Sequence, residues 1–316
     1  MKYTISYRGR IDSQFTYVLT LLPPEIRGEL YDFCLENGYQ IINEIRIKRN
    51  SNIYLIAESK NVKTSIYVNE EIIKKVFECL CSGSLYAHIN TIKEGYISVG
   101  NGVRAGVCGS AVLENNEITG VKDITSINIR IPHQIEGASS FIYSLLKNEC
   151  FNASILIYSP PGVGKTSILR DLVVKLSQCT PPIRYAVIDS REEIITSSSS
   201  SLMCDAYISY PKGLAIELAT KSMTPEIIIC DEISNEKEAN AVLKASHSGV
   251  KLIATTHASS FEEIKNKKIL KDLIESEVFT YFVGVNRGYG EKKYSFTIDK
   301  IKKEAIVWKL SAVVWF

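Results

Sequence analysis

Apolar runs of five or six residues recur from Ala153 onward, each ending in polar residues: "SILIYS", "YAVIDS", "EIIICDE" and "KLIATTH". Helix-like stretches separate them. Strands that are apolar throughout and alternate with helices predict a parallel sheet covered on both faces. In such sheets, ligands gather at the carboxyl ends of the strands, which is where the polar residues fall here. The first 135 residues read differently. "LLPPEIRGELYDFCLENG" predicts a helix opened by proline and closed by Gly38. "EIRIKRNSNIYLIAE" alternates around a turn, as a hairpin does, and "NEEIIKKVFECLCSGSLY" has apolar positions at helical spacing. "GYISVGNGVRAGVCGSAV" predicts short strands punctuated by glycine, and "SINIRI" a further strand. "PHQIEGASSFIYSLLKNECFN" predicts a connector and a helix. The chain therefore divides into an α+β N-terminal domain over 1–135, a linker and helix over 136–150, and an α/β domain over 151–316.

Composition adds few exclusions. At 316 residues there is room for two cores. A hydrophobic fraction of 45%, 23% charged residues and a net charge of +2 are ordinary for a soluble protein and do not favour strong nucleic-acid binding. The local basic patches "KNKKILK" and "KIKKE" read as solvated faces. Eight cysteines include no CxxC pair, so neither zinc nor a disulfide framework is indicated, and a reducing cytoplasm fits. The N-terminus has no signal-peptide core, and no run of 18 apolar residues exists to span a membrane. The apolar tail "AIVWKLSAVVWF" predicts a terminal strand or, failing that, a partner or membrane-surface contact.

The candidate chemistry begins between "ILIYS" and the amphipathic run after it. The loop Ser159-Pro160-Pro161-Gly162-Val163-Gly164-Lys165-Thr166-Ser167 has nearly the phosphate-binding pattern, with Ser159 where a glycine usually stands. Gly162 and Gly164 allow backbone N–H groups to point at phosphate oxygens. Lys165 supplies charge for the β and γ phosphates, and Thr166 a hydroxyl for Mg2+. ATP is the cofactor expected.

Further along, Asp231 and Glu232 end the run "EIIICDE", 231 − 165 = 66 residues after Lys165. In P-loop ATPases an aspartate here holds magnesium, often through water, and a neighbouring glutamate activates the attacking water. "AVIDSREEI" has two readings: Asp189, Glu192 and Glu193 form an acidic box beside the nucleotide, or they are charges that begin a helix. His257, in "KLIATTHAS", lies in topological reach of a γ phosphate as a sensor, whereas His247 reads as structural. Arg104, between glycines in "GNGVRAG", and Arg130, in "SINIRI", are candidates either for structural ion pairs or for reaching a neighbouring subunit's nucleotide.

Across nearly its whole length the chain resembles the stage III sporulation AA family, sporulation ATPases related to the type II/IV secretion ATPases. The resemblance rests on "LCSGSLYA", "EGYISVGNGVRAGVCG", "ITSINIRI", "SPPGVGKTS", "VIDSREEI", "KSMTPEIIICDEIS" and "SHSGVKLIATTHA" in that order. It implies a RecA-like P-loop NTPase domain and a cytoplasmic ATPase that forms a ring, a hexamer being one such ring. It also implies peripheral work at the mother-cell membrane with the membrane proteins of a channel to the forespore. Arg104 and Arg130 match by position the arginines that approach ATP in secretion ATPases. Ser190 stands where that family's acidic box has an acid, and the serine tract "TSSSSSLM" that follows is unusual.

Three functions compete on these residues. The first is an oligomeric ATP-hydrolysing protein of a sporulation channel complex, with Lys165, Glu232, His257, Arg104 and Arg130 as its catalytic set. The second is a nucleotide-operated assembly switch with little turnover. The third is a DNA-dependent, recombinase-like ATPase. Glu232 favours the first, because a pure binder has no need of a base there.

Overall fold

The computed structural model describes residues 12–57, 60–83, 88–93, 95–114, 117–133, 135–195, 204–287, 294–300 and 310–314. The serine tract at 196–203, the N-terminal stretch up to residue 11 and most of the tail, with all of "KIKKE" but its first lysine, lie outside them. The chain forms two compact units, Met1–His133 and Gln134–Phe316.

The first unit is built on an antiparallel sheet. Its strands are β1 (Ile42–Lys48), β2 (Ser51–Ala57), β3 (Lys60–Val68), β4 (Tyr96–Ser98), β5 (Arg104–Glu114) and β6 (Glu117–Arg130), in the order β3-β2-β1-β6-β5-β4. Helices α1 (Ser13–Thr20), α2 (Pro24–Glu36), α3 (Glu70–Leu80) and α4 (Ile89–Lys93) accompany it. The β1–β2 hairpin turns at Asn50, whose φ is 56°. Pro24 starts α2, and Gly38 follows its end at φ 72°. Asn69 caps α3 by accepting the Ile72 N–H at 2.8 Å. Gly100 and Gly102 end the three-residue β4 as expected, but the glycines beyond them do not break the chain further. β5 runs eleven residues through Gly106 and Gly109. Gly109 sits at a register shift where a Cβ would meet the Lys122 carbonyl at 2.5 Å, so this glycine admits a close backbone approach instead of ending the strand.

The second unit is an eight-stranded sheet, β14-β13-β12-β7-β11-β10-β8-β9. Six strands are parallel: β7 (Ile155–Ser159), β8 (Tyr185–Asp189), β9 (Cys204–Ile208), β10 (Ile227–Glu232), β11 (Lys251–His257) and β12 (Tyr281–Arg287). Antiparallel β13 (Tyr294–Asp299) and β14 (Leu310–Val314) extend one edge, which gives the tail its strand. Alternate residues of each central strand enter different cores. Ile155, Ile157, Ile229 and Ile253 pack with α5 (Ser140–Asn148) and α6 (Lys165–Ser177). Leu156, Ile228, Leu252 and Phe282 pack with α7 (Lys212–Leu218), α8 (Glu236–His247), α9 (Phe261–Lys265) and α10 (Lys268–Glu275). The stretch read as linker thus packs inside this unit. Ile142 and Leu146 of α5 are buried, Phe141 stacks on Phe296 at 4.8 Å, and Asp171 of α6 accepts the N–H groups of Gly137 and Ser139 at 2.9 and 2.7 Å.

Candidate functional site

The strand order sets the site. β7, β11 and β10 are adjacent and parallel, with His257 in register with Ser159 and Glu232 with Thr255. Ser159, His257 and Glu232 therefore meet at one edge, although they are far apart in sequence. The chain leaves β7 through Pro160 and Pro161 and enters α6 at Lys165. Gly162 has φ 79° and Gly164 φ 118°, backbone that side chains resist. Gly164 is also pinned by its surroundings. A Cβ there would run into the ring and hydroxyl of Tyr294, buried on β13.

Lys165 is buried and folded onto its own loop. Its ammonium donates to the Ser159 carbonyl at 2.9 Å, the Ser159 hydroxyl at 3.2 Å and the Pro160 carbonyl at 3.4 Å. It also donates to His257 Nδ1 at 2.7 Å. With Nδ1 accepting, the imidazole carries its proton on Nε2 and donates it to the Glu232 carboxylate, 3.2 Å away. Lys165, His257 and Glu232 thus form one hydrogen-bonded chain. Burial lowers the Lys165 ammonium to about 8, with Glu232 opposing the shift and Lys267 adding to it. Lys267 also donates to the His257 carbonyl and fixes the strand end from behind.

Thr166, Ser167 and Val163 are half-buried at or beside the first turn of α6. The Thr166 hydroxyl fits one protein ligand of a magnesium ion carried by a nucleotide. Asp231, expected as the second, faces a protein cation in this arrangement. Its Oδ1 is held by the Lys212 ammonium at 2.5 Å. Burial pushes the Asp231 carboxyl up, while Lys212 and Arg191 draw it down. Lys212 itself stays above its ordinary value. Burial alone would lower it, and the fields of Asp231 and Glu238 outweigh that.

The two readings of "AVIDSREEI" now separate for Asp189. No helix begins in the described residues 190–195 that follow it. Asp189 is fully buried, and its carboxylate accepts the N–H groups of Glu193, Ile194 and Ile195, each at 2.8 Å. Burial raises its carboxyl against the pull of those three N–H groups. Buried Arg170 donates to the Glu193 carbonyl from the neighbouring helix. Asp189 therefore shapes the turn. Glu192 accepts the Ser209 hydroxyl at 2.5 Å. His247 lies exposed in the last turn of α8, a position that suits a helix end.

Arg104 and Arg130 belong to the first unit. Arg104 lies over the Tyr96 ring at 4.5 Å, and Arg130, largely exposed, is 3.8 Å from Glu44. Lys212 is the residue that the motifs did not point to. No pattern marks a single lysine in "SYPKGL".

A six-stranded parallel core with a glycine loop between β7 and α6 defines the RecA-like P-loop ATPase fold. Solved structures agree. The Legionella pneumophila ATPase DotB aligns with a TM-score of 0.62 at 12% identity, over 94% of this chain and 84% of that one. The pilus retraction motor PilT, solved with bound ADP, aligns with a TM-score of 0.59 at 13% identity, over 90% and 82%. The family profile described as sporulation stage III, protein AA, matches residues 16–295, and the chain belongs to that family. The Bacillus subtilis (strain 168) stage III sporulation protein AA is 30% identical over 294 residues, which are 90% of this chain and 94% of that protein. A protein of Cyanidium caldarium, ycf45, is 32% identical over 162 residues, 47% of this chain and 46% of its own.

Proposed function

We propose that this protein binds ATP on the Ser159–Thr166 loop and hydrolyses it as a homo-oligomeric ATPase of a sporulation channel complex, working at the membrane surface. The observation that carries this reading is the chain Lys165–His257–Glu232. It links a phosphate-binding cation to a carboxylate that can act as base, through a residue that registers whether the cation is engaged. The likeness to the ATPase DotB and to the ADP-bound motor PilT, together with the sporulation family, supports it. Among the described residues no helix is long and apolar enough to cross a membrane, so the reading assigns membrane contact to partner proteins.

On ATP binding, Lys165 would exchange the Ser159 and Pro160 carbonyls for β and γ phosphate oxygens, and N–H groups at the start of α6 would face the same anion. His257 would then lose its lysine donor while keeping its Nε2–H on Glu232. Glu232 would take the proton of the attacking water. Magnesium, when bound with the nucleotide, screens phosphate charge, and Thr166 is the residue suited to hold it. The test is to size the protein with and without ATP and magnesium and to measure turnover on each fraction. Turnover confined to the assembled fraction is the expected result. Assembly with ATP and no turnover in any fraction would favour the switch reading instead.

A further inference from the structure

Lys212 opens α7, immediately after Pro211, and is only 7% exposed. A lysine is rarely buried unless paired. Here it is surrounded by acceptors from two other elements. Its ammonium contacts Asp231 Oδ1 at 2.5 Å, donates to the Glu232 carbonyl, and lies 3.6 Å from Glu238 Oε2. Glu238 is itself fixed, accepting the Ser234 N–H at 2.7 Å and the Ser234 hydroxyl at 3.0 Å at the start of α8. Gly213 lets α7 approach α8 closely enough to deliver the lysine, since a Cβ there would lie 3.3 Å from the Lys237 carbonyl. The β10–β11 register shifts between Ile229 and Glu232 and pairing resumes at Glu232 and Thr255, with the Ile233 N–H donating to the Thr255 carbonyl at 3.0 Å. Lys212 adds a second hold on this irregular strand end.

We propose that Lys212 is the resident counter-cation of Asp231 and, by gripping the Asp231 carboxylate and the Glu232 carbonyl together, the positioning residue for the Glu232 side chain. Asp231 then serves the site through Lys212 and not by direct contact with magnesium. This rests on the ATPase reading only for what Glu232 does. The pairing of Lys212 with Asp231 stands apart from it. A buried ion pair with one partner removed leaves an uncompensated charge, whereas removal of both partners relieves it. That difference makes the pairing measurable without catalysis.

The experiment compares Lys212→Met, Lys212→Arg, Asp231→Asn and the double variant Lys212→Met/Asp231→Asn in the full-length chain. Thermal unfolding is expected to fall by roughly 5 to 10 °C in Lys212→Met and to recover most of that loss in the double variant. Losses that simply add in the double variant would overturn the pairing. Binding of a fluorescent ATP analogue is then measured with magnesium and with EDTA. The ratio of the two Kd values in Asp231→Asn is expected to stay within about threefold of wild type, because Asp231 does not touch the metal. A collapse of that ratio by tenfold or more, with Lys212→Arg unaffected, would make Asp231 a metal ligand and overturn the proposal. In turnover, Lys212→Arg is expected to lose kcat by about 10-fold or more with KM little changed, since the planar fork does not reproduce a point charge that reaches two acceptors. Wild-type kcat in Lys212→Arg and in the double variant would remove the positioning role. If wild-type protein binds no nucleotide at all, the ATPase reading and the role of Glu232 fail, and the counter-ion assignment is still decided by the unfolding cycle.

Discussion

Arg104 and Arg130 stand directly opposite one another in the β5–β6 ladder. Residues paired in this way have Cβ atoms about 5 Å apart, and like charges so placed repel. Glu44, opposite Arg130 on β1, and the Tyr96 ring beneath Arg104 offset that repulsion. Two guanidinium groups side by side on one sheet face are suited to an anion. If they complete a neighbouring subunit's site, Arg104→Ala and Lys165→Ala proteins, each inactive alone, are expected to regain partial activity when mixed. Each mixed oligomer then contains some whole sites. Full activity of both Arg104→Ala and Arg130→Ala as homo-oligomers would sink the assignment.

Lys165→Ala is expected to abolish tight ATP binding, as read with a labelled nucleotide at equilibrium. Lys165 is the one side-chain cation in the loop. The His257–Glu232 pair should survive its loss, so the variant should remain folded. Wild-type affinity would place the nucleotide elsewhere.

Glu232→Gln is expected to bind ATP normally and to lose turnover by roughly 100- to 10,000-fold. The amide can still meet the His257 ring but cannot take a proton. Unchanged turnover would move the role of base to Glu192 or Glu193.

The two loop glycines should differ. Gly162→Ala meets nothing within 4 Å and suffers only from its φ of 79°, a cost of about 1–2 kcal/mol. Gly164→Ala has both φ 118° and the Tyr294 ring against it. It is expected to lower Tm by more than Gly162→Ala does and to abolish ATP binding. Calorimetry and nucleotide titration on the two proteins check the order.

Affinity for ATP should depend on pH through Lys165. In the free protein its ammonium titrates near 8, so raising the pH above that value removes the charge that phosphate needs. Binding must then restore the proton. Kd is expected to be flat below pH 7 and to rise by up to tenfold per pH unit above about 8. The same series on Lys165→Ala, at whatever weak affinity remains, should lack that rise.

The glycine loop and the acidic strand end are legible in the sequence because their signals are local: glycines, a lysine and an apolar run with a polar end, at short fixed spacing. His257 is legible as a strand-end residue for the same reason. Its place between Lys165 and Glu232 follows from the order β7-β11-β10, which no local pattern encodes. Lys212 is the opposite case. Its partners Asp231 and Glu238 reach it only when α7 packs on α8 through Gly213. Asp189 has an ambiguous local context, and burial decides it, since a fully buried carboxylate must be met by donors and backbone N–H groups are the ones present. In the first unit, Gly109 reads as a breaker because the close approach of β6 that calls for it comes from outside its own segment.

Tyr294 against Gly164 also bears on how the molecule is made. β7 leads into the glycine loop and pairs with β11 and β12, both much later in the chain, while Tyr294 comes later still. A ribosome emits these segments in order, and contacts between distant segments must wait for the last of them. A nascent chain that has released Lys165, Asp231, Glu232 and His257 therefore still lacks the strand that flanks β7 and the ring that packs against its loop. These contacts come together only after Tyr294 has emerged, so a shorter nascent chain lacks part of the proposed nucleotide site.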